Sequence, residues 1–246
     1  MSATLEATRY TNFVNGQESK GREAATFESV NPTTGKLFGQ FIESSAGDID
    51  DAVKAAQAAF EGPWRALSPT RRGRLLMRWG DLIAENAERI ATMETQQNGK
   101  LIAEMRLQAK IVQDWLYYFG GLADKVEGRV VPLDRTSVLN YTTSEPLGVV
   151  GVIVPWNSPT FLTIMTVAPA LAAGNTVVIK PSEVTSASAI ELAKIAEQAG
   201  LPRGVVNVVT GGRLAGEALV DHLGVAKISF TGSDMAGRAI AAKAGS

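Results

Sequence analysis

The chain has 246 residues, a formal net charge of −1, 45% hydrophobic residues and 20% charged residues. That length allows one large domain or two small ones, and the balanced charge gives neither a basic field for nucleic acid nor an acidic tail. There is no cysteine and a single histidine, His222, which excludes disulfides, thiolate metal sites, thiol catalysis within these residues and a multi-histidine metal centre.

Met1 to Glu6 has no positive segment leading into an apolar run, so no secretory signal is expected. The apolar stretches are interrupted by Pro, Gly and Asn and are too short to span a bilayer. A cytoplasmic, non-membrane protein is the default expectation.

Phe13 to Gln17 reads as a strand entering a turn. Phe27 to Val30 is a second short strand, stopped by the turn cluster Asn31-Pro32-Thr33-Thr34-Gly35. Leu37 to Ile42 is a third. From Asp48 to Phe60 the apolar positions Ile49, Val53, Ala56 and Ala59 recur at helical spacing. Ser68-Pro69 is an N-cap followed by proline in the first turn, and the helix it starts carries Leu75, Leu76, Trp79, Leu82 and Ile83 on one face. Another helix is expected from about Leu101 to Ala123. Residues 128–144 hold β-formers (Val130, Val131, Val138, Leu139, Tyr141) around Asp134 to Ser137, with weak alternation, and read as a projecting hairpin arm.

The last hundred residues are regular. Strands are expected at Gly148–Val154, Thr176–Lys180, Val205–Val209 and Ala226–Phe230. Helices are expected at Phe161–Ala173, Ser186–Ala199, Leu214–Leu223 and Met235–Lys243. Strand and helix alternate four times, which implies a parallel sheet with right-handed crossovers. Such sheets bind ligands at the carboxyl ends of their strands.

A motif falls at each of those ends. Val154-Pro155-Trp156-Asn157 follows the first strand; an Asn amide there can donate to a developing oxyanion, or the segment is a plain turn. Lys180-Pro-Ser-Glu183 follows the second; the pair can hold ribose hydroxyls, or it is a solvated ion pair. Thr210-Gly211-Gly212-Arg213-Leu214-Ala215-Gly216 follows the third. Its glycines permit close approach of a ligand at a helix N-terminus, although the spacing departs from Gly-x-Gly-x-x-Gly, and a tight strand-to-helix turn has the same composition. Phe230-Thr231-Gly232-Ser233 follows the fourth; its backbone N–H groups and hydroxyl can hold a diphosphate, or Ser233 is an ordinary N-cap. His222 lies in a helix-end context suited to a polar or cationic side chain. Each motif is weak alone; their order on four consecutive strand–helix units is the stronger signal.

From about Phe13 onward the chain resembles the aldehyde dehydrogenase superfamily. Glu145-Pro-Leu-Gly-Val-Val-Gly-Val-Ile-Val-Pro-Trp-Asn157 is the most specific stretch, followed by Ala168 to Glu183 and by Ile228-Ser-Phe-Thr-Gly-Ser233; Asn31-Pro32 and Asn98-Gly99-Lys100 fit as well. The resemblance implies an α/β, Rossmann-like parallel sheet with flanking helices. Residues 1–127 would form the N-terminal part of a cofactor-binding domain, 128–144 an oligomerisation hairpin and 145–246 the NAD(P)-binding unit. It implies that Asn157 is the oxyanion-hole amide and that Val154, Pro155 and Trp156 line the cofactor cleft. Lys180 and Glu183 would hold the adenosine ribose, Gly212 and Gly216 would flank the adenosine, and Phe230, Thr231, Gly232 and Ser233 would face the cofactor, with Ser233 on the diphosphate. The implied cofactor is NAD, with NADP use also open, and the implied substrate is a small aldehyde oxidised through a Cys thiohemiacetal, hydride transfer and thioester hydrolysis. Members of that superfamily are about twice this long; their general-base Glu and nucleophilic Cys would lie beyond Ser246, so the chain reads as an N-terminal portion whose catalytic domain is absent. Two other readings stay open: a naturally short protein that binds nucleotide or dimerises without catalysis, and an acylating or semialdehyde dehydrogenase of the same superfamily.

Overall fold

The structure is a computed structural model and describes residues 8–245. Five short strands come first: β1 (Thr8–Arg9), β2 (Asn12–Val14), β3 (Gln17–Ser19), β4 (Thr26–Val30) and β5 (Leu37–Ile42). Helices follow: α1 (Ala46–Ala59), which runs on into a π-helical turn at Phe60–Trp64, then α2 (Pro69–Glu85), α3 (Ala87–Asn98) and α4 (Ile102–Leu122). The two-residue strands β6 (Val130–Val131) and β7 (Asn140–Tyr141) come next. The remainder alternates: β8 (Val149–Ile153), α5 (Pro159–Ala172), β9 (Thr176–Lys180), α6 (Ala187–Gln198), β10 (Val206–Val208), α7 (Arg213–Val220), β11 (Val225–Phe230) and α8 (Asp234–Ala244). Among the described residues no helix is long and apolar enough to cross a membrane.

Local chemistry accounts for the boundaries. Ser45 and Asp48 form a reciprocal capping box at the start of α1, the Asp48 carboxylate accepting the Ser45 N–H at 2.8 Å. Ser68 caps α2 by accepting the Arg71 N–H, with Pro69 in the first turn as expected. Where α2 crosses α4 the backbones touch: a Cβ on Gly73 would stand 2.2 Å from the Gly120 carbonyl oxygen.

The main sheet has six strands in the order β11-β8-β9-β10-β2-β3. The four C-terminal strands pair in parallel, as expected. The sheet as a whole is mixed, because β2 runs antiparallel to β10 and carries β3 as an added edge. The segment Phe13 to Gln17 is a strand entering a turn, as expected: β2 ends at Val14, and the chain then doubles back into β3. Asn15 and Gly16 both take positive φ, 53° and 69°, and turn the chain so that Val14 pairs with Gln17; two such residues form the tight turn that right-twisted hairpins favour. A second sheet, β1-β5-β4, lies apart, and β6 pairs with β7 in the arm. The helix at Leu214 ends at Val220, three residues before the expected Leu223, in a turn where the Gly224 N–H donates to His222 Nδ1 at 3.0 Å.

The core is split by the main sheet. Val150, Val152, Val177, Ile179, Val206 and Val208 point into the larger cluster, with Trp64, Leu76, Trp79, Leu116, Ile164 and Leu192. Val149, Ile153 and Val178 point the other way, onto Ile49, Val53 and Ala56 of α1 and Leu219 of α7. Neighbouring residues on one strand thus serve opposite faces, and both faces are covered by helices, which is why these strands read as continuous apolar runs. The arm is the exception: residues 124–145 are all exposed, in keeping with a projecting hairpin.

Candidate functional site

The register of the parallel strands decides where the motifs meet. Ile153 is opposite Lys180 on one side and Phe230 on the other. The Val154 N–H donates to the Lys180 carbonyl at 3.3 Å, and the Thr231 N–H to the Ile153 carbonyl at 3.1 Å. Val154-Pro-Trp-Asn157, Lys180-Pro-Ser-Glu183, the glycine turn after β10 and Phe230-Thr-Gly-Ser233 therefore share one edge of one sheet. The sequence expectation that all four fall at carboxyl strand ends holds.

Val154 is buried and fixed by the β9 carbonyl; Pro155 is half-buried; Trp156 is 52% exposed at the rim. Asn157 is exposed, and its side-chain amide has no hydrogen bond within the described residues. The backbone after it is anchored from a distance. Glu94 of α3 is fully buried, and its carboxylate oxygen Oε1 accepts the Thr160 N–H in the first turn of α5 at 2.6 Å. Ser158, the residue in N-cap position, makes no side-chain cap, so Glu94 does that work from another helix. Burial pushes the Glu94 carboxyl above the usual carboxylate range.

Lys180 is not the solvated half of an ion pair. It is only 6% exposed, and its Nζ donates to the Gly211 carbonyl at 2.8 Å. The Glu183 carboxylate lies 4.0 Å away with a side chain 57% exposed. Burial lowers the Lys180 pKa, while Glu183 and then Glu43 hold it up. Gly216 lies along the lysine stem, where a Cβ would be 3.6 Å from Lys180 Cδ. Gly212 is the N-cap of α7, and its N–H donates to Glu43 Oε1 at 2.9 Å.

At the fourth strand the local reading is partly structural. Ser233 caps α8 by accepting the Ala236 N–H at 3.3 Å. The Phe230 ring folds over its own turn, so that a Cβ on Gly232 would meet Phe230 Cζ at 2.4 Å. Thr231, Gly232 and Ser233 remain exposed and line an open hollow of about 490 Å³.

Two residues of this edge carry no motif in the sequence. Asn12 of β2 accepts the Thr210 N–H at 2.9 Å through Oδ1 and donates to Ser44 Oγ at 2.9 Å through Nδ2, tying β10 to the segment after β5. Glu43 sits on the glycine turn. The Asn12–Thr210 and Glu43–Gly212 pairings each span well over a hundred residues, and no local pattern announces them. His222 belongs elsewhere: it follows the C-terminus of α7, and its Nε2 lies 3.4 Å from Asp50 Oδ1 of α1. Among the described residues no cluster of His, Asp or Glu could hold a metal ion.

The sequence matches the model of the family described as "Aldehyde dehydrogenase family" over residues 19–246. An "Aldehyde dehydrogenase" of Aspergillus niger is 43% identical over 229 residues, which are 93% of this chain and 46% of that protein. The solved structure of an NAD-dependent aldehyde dehydrogenase from Sinorhizobium meliloti superposes with a TM-score of 0.94 at 38% identity, covering 97% of this chain and 48% of that one. A Bacillus cereus aldehyde dehydrogenase solved as an NAD⁺ complex gives a TM-score of 0.93 at 38% identity, covering 96% of this chain and 49% of that one. The chain thus spans about half the length of the relatives it matches.

Proposed function

Since the chain belongs to the aldehyde dehydrogenase family, we propose that it is the cofactor-binding portion of an NAD-dependent oxidoreductase converting an aldehyde to a carboxylic acid. The observation that carries this is the register placing Asn157, Lys180, the glycine turn and Phe230 to Ser233 on one sheet edge. The donor set fits an adenine dinucleotide: a buried ammonium and an exposed carboxylate three residues apart suit ribose hydroxyls, and the open hollow at Thr231 to Ser233 leaves room for a diphosphate against backbone N–H groups. When bound, the nicotinamide would supply the two-electron acceptor.

The residues of this chain divide the remaining work. Lys180 and Glu183 bind and orient the ribose, Glu183 accepting from its hydroxyls. Gly212 and Gly216 keep side chains out of the adenosine's way. Val154, Pro155 and Trp156 form the wall of the cleft, and Ser233 completes the diphosphate turn. Asn157, exposed and without a side-chain hydrogen bond among the described residues, offers its amide N–H to the oxygen of the aldehyde as charge develops on it. These 246 residues contain no cysteine, so the nucleophile of the family's thiol chemistry is supplied from outside them. The fully exposed arm at 128–144 is the surface through which we expect the protein to self-associate.

Titration calorimetry with NAD tests the ribose assignment: Lys180→Met is expected to weaken binding about tenfold, the scale of one charged hydrogen bond, and an unchanged affinity removes Lys180 from the site. In the complete enzyme, Asn157→Ala is expected to lower kcat by roughly 10²–10³-fold with far less effect on NAD affinity. Equal losses in both would count against the oxyanion role.

A further inference from the structure

The glycine turn after β10 sits at the N-terminus of α7, the kind of place where free N–H groups attract a phosphate. In this protein the Gly212 N–H is already spent on Glu43 Oε1, at 2.9 Å. The carboxylate is held there by its backbone. The adjoining Ser44 N–H donates to the Thr210 carbonyl at 3.1 Å, and Asn12 bonds both Ser44 Oγ and the Thr210 N–H. Gly211 makes the room: it has φ +148°, and a Cβ on it would come within 3.1 Å of Glu43 Oε1 and 2.7 Å of Ala215 Cβ. The buried Lys180 ammonium lies 4.0 Å from the Glu183 carboxylate and also feels the charge of Glu43. Beside the buried Lys180, this end of the cleft carries the Glu43 and Glu183 carboxylates, while Arg213 next to the turn is paired with Glu217.

We propose that Glu43 is a specificity determinant of the nucleotide site: its carboxylate on the glycine turn excludes a phosphate from the 2′ position of the adenosine ribose, so that the site selects NAD over NADP. The proposal rests on the reading of Lys180 and Glu183 as the ribose-binding pair. The physical reason is that a 2′-hydroxyl is neutral and can donate to a carboxylate, whereas a 2′-phosphate is dianionic and cannot. It would meet a like charge at a helix N-terminus whose N-cap N–H is no longer available. Glu183, more than half exposed, is open to screening by salt. Glu43 is half-buried and tethered through Gly212, so its repulsion is screened less.

The test is the ratio of NAD and NADP dissociation constants, measured by calorimetry on the unmodified protein and on Glu43→Gln, which keeps an acceptor for the Gly212 N–H and loses the charge. The ratio is expected to move toward NADP by about tenfold in the variant, as removal of a close like charge requires; equal changes in both affinities, or none, overturn the proposal. A second measurement repeats the ratio across salt concentrations in both proteins. If Glu43 repels a 2′-phosphate, the preference for NAD narrows with salt less in Glu43→Gln than in the unmodified protein; an equal narrowing, none, or a widening overturns the proposal. A protein in which Lys180→Met leaves NAD binding unchanged overturns the ribose reading and this inference with it. Loss of NAD in that variant beside an unmoved ratio in Glu43→Gln overturns this inference alone.

Discussion

The strands in the middle of the main sheet and the strand–helix unit β11–α8 at its edge share one plan and differ in every measure of burial. All five residues of β8 and of β9 are buried. No residue of β11 or α8 is fully buried. Position explains it: β8 and β9 have a strand on each side and helices above and below, while β11 pairs with β8 alone. The consequence is chemical. Val154 and Lys180, at the ends of middle strands, are held in place by buried neighbours, whereas Thr231 to Ser233, at the edge, are open to whatever packs or binds there.

The sharpest way to break the contrast is to weaken the layer that covers the middle strands. Trp79 of α2 is fully buried, and its Nε1 donates to the Leu192 carbonyl of α6 at 3.1 Å. Trp79→Ala should cost about 3–5 kcal/mol in urea-induced unfolding; a loss below about 1 kcal/mol would mean that the helical layer does not unfold with the sheet. A smaller effect is expected at Glu94, and it has a sign. Burial raises its pKa in the folded state above the unfolded value, so its stabilising contribution is complete at acid pH and is lost as pH rises through the folded pKa. Glu94→Gln keeps an acceptor for the Thr160 N–H and removes the ionisation. The variant should therefore gain melting temperature relative to the unmodified protein as pH is raised from acid to neutral, and a constant difference across that range would show that the carboxyl is not desolvated. The smallest effect belongs to the edge. Ile240 of α8 is only partly buried against the second core cluster, and Ile240→Ala should cost about 1 kcal/mol or less. A loss as large as that at Trp79 would mean that α8 is covered in solution.

Much of the fold was legible locally. Leu37–Ile42 and Thr176–Lys180 match the observed strands residue for residue, and Ser68-Pro69 marked the start of α2. The four strand-end motifs were found in the right order because each lies beside its own strand. What escaped was α3, and the reason is visible in its buried face: Ala87, Ile90, Ala91, Glu94 and Gln97 keep helical spacing, but two of the five are polar. Both are partnered across the molecule, Glu94 with the Thr160 N–H and Gln97 with the Ala187 N–H, so a search for apolar periodicity passes over them. The turn at Asn15-Gly16 was read correctly after its strand; β3 was missed because it is three exposed or half-buried residues with no apolar signature.

By itself the sequence determined the strand–helix alternation, the caps, the family resemblance and the residue types at each strand end, because those depend on neighbours a few positions away. The tertiary structure decided which of those residues could act. It buried Lys180 and bonded it to the Gly211 carbonyl, brought Glu43 onto the Gly212 N–H across 169 positions, and joined the first hairpin to the last strands through Asn12. Burial and charge pairing are properties of what surrounds a side chain, and most of what surrounds these came from parts of the chain that no local pattern connects.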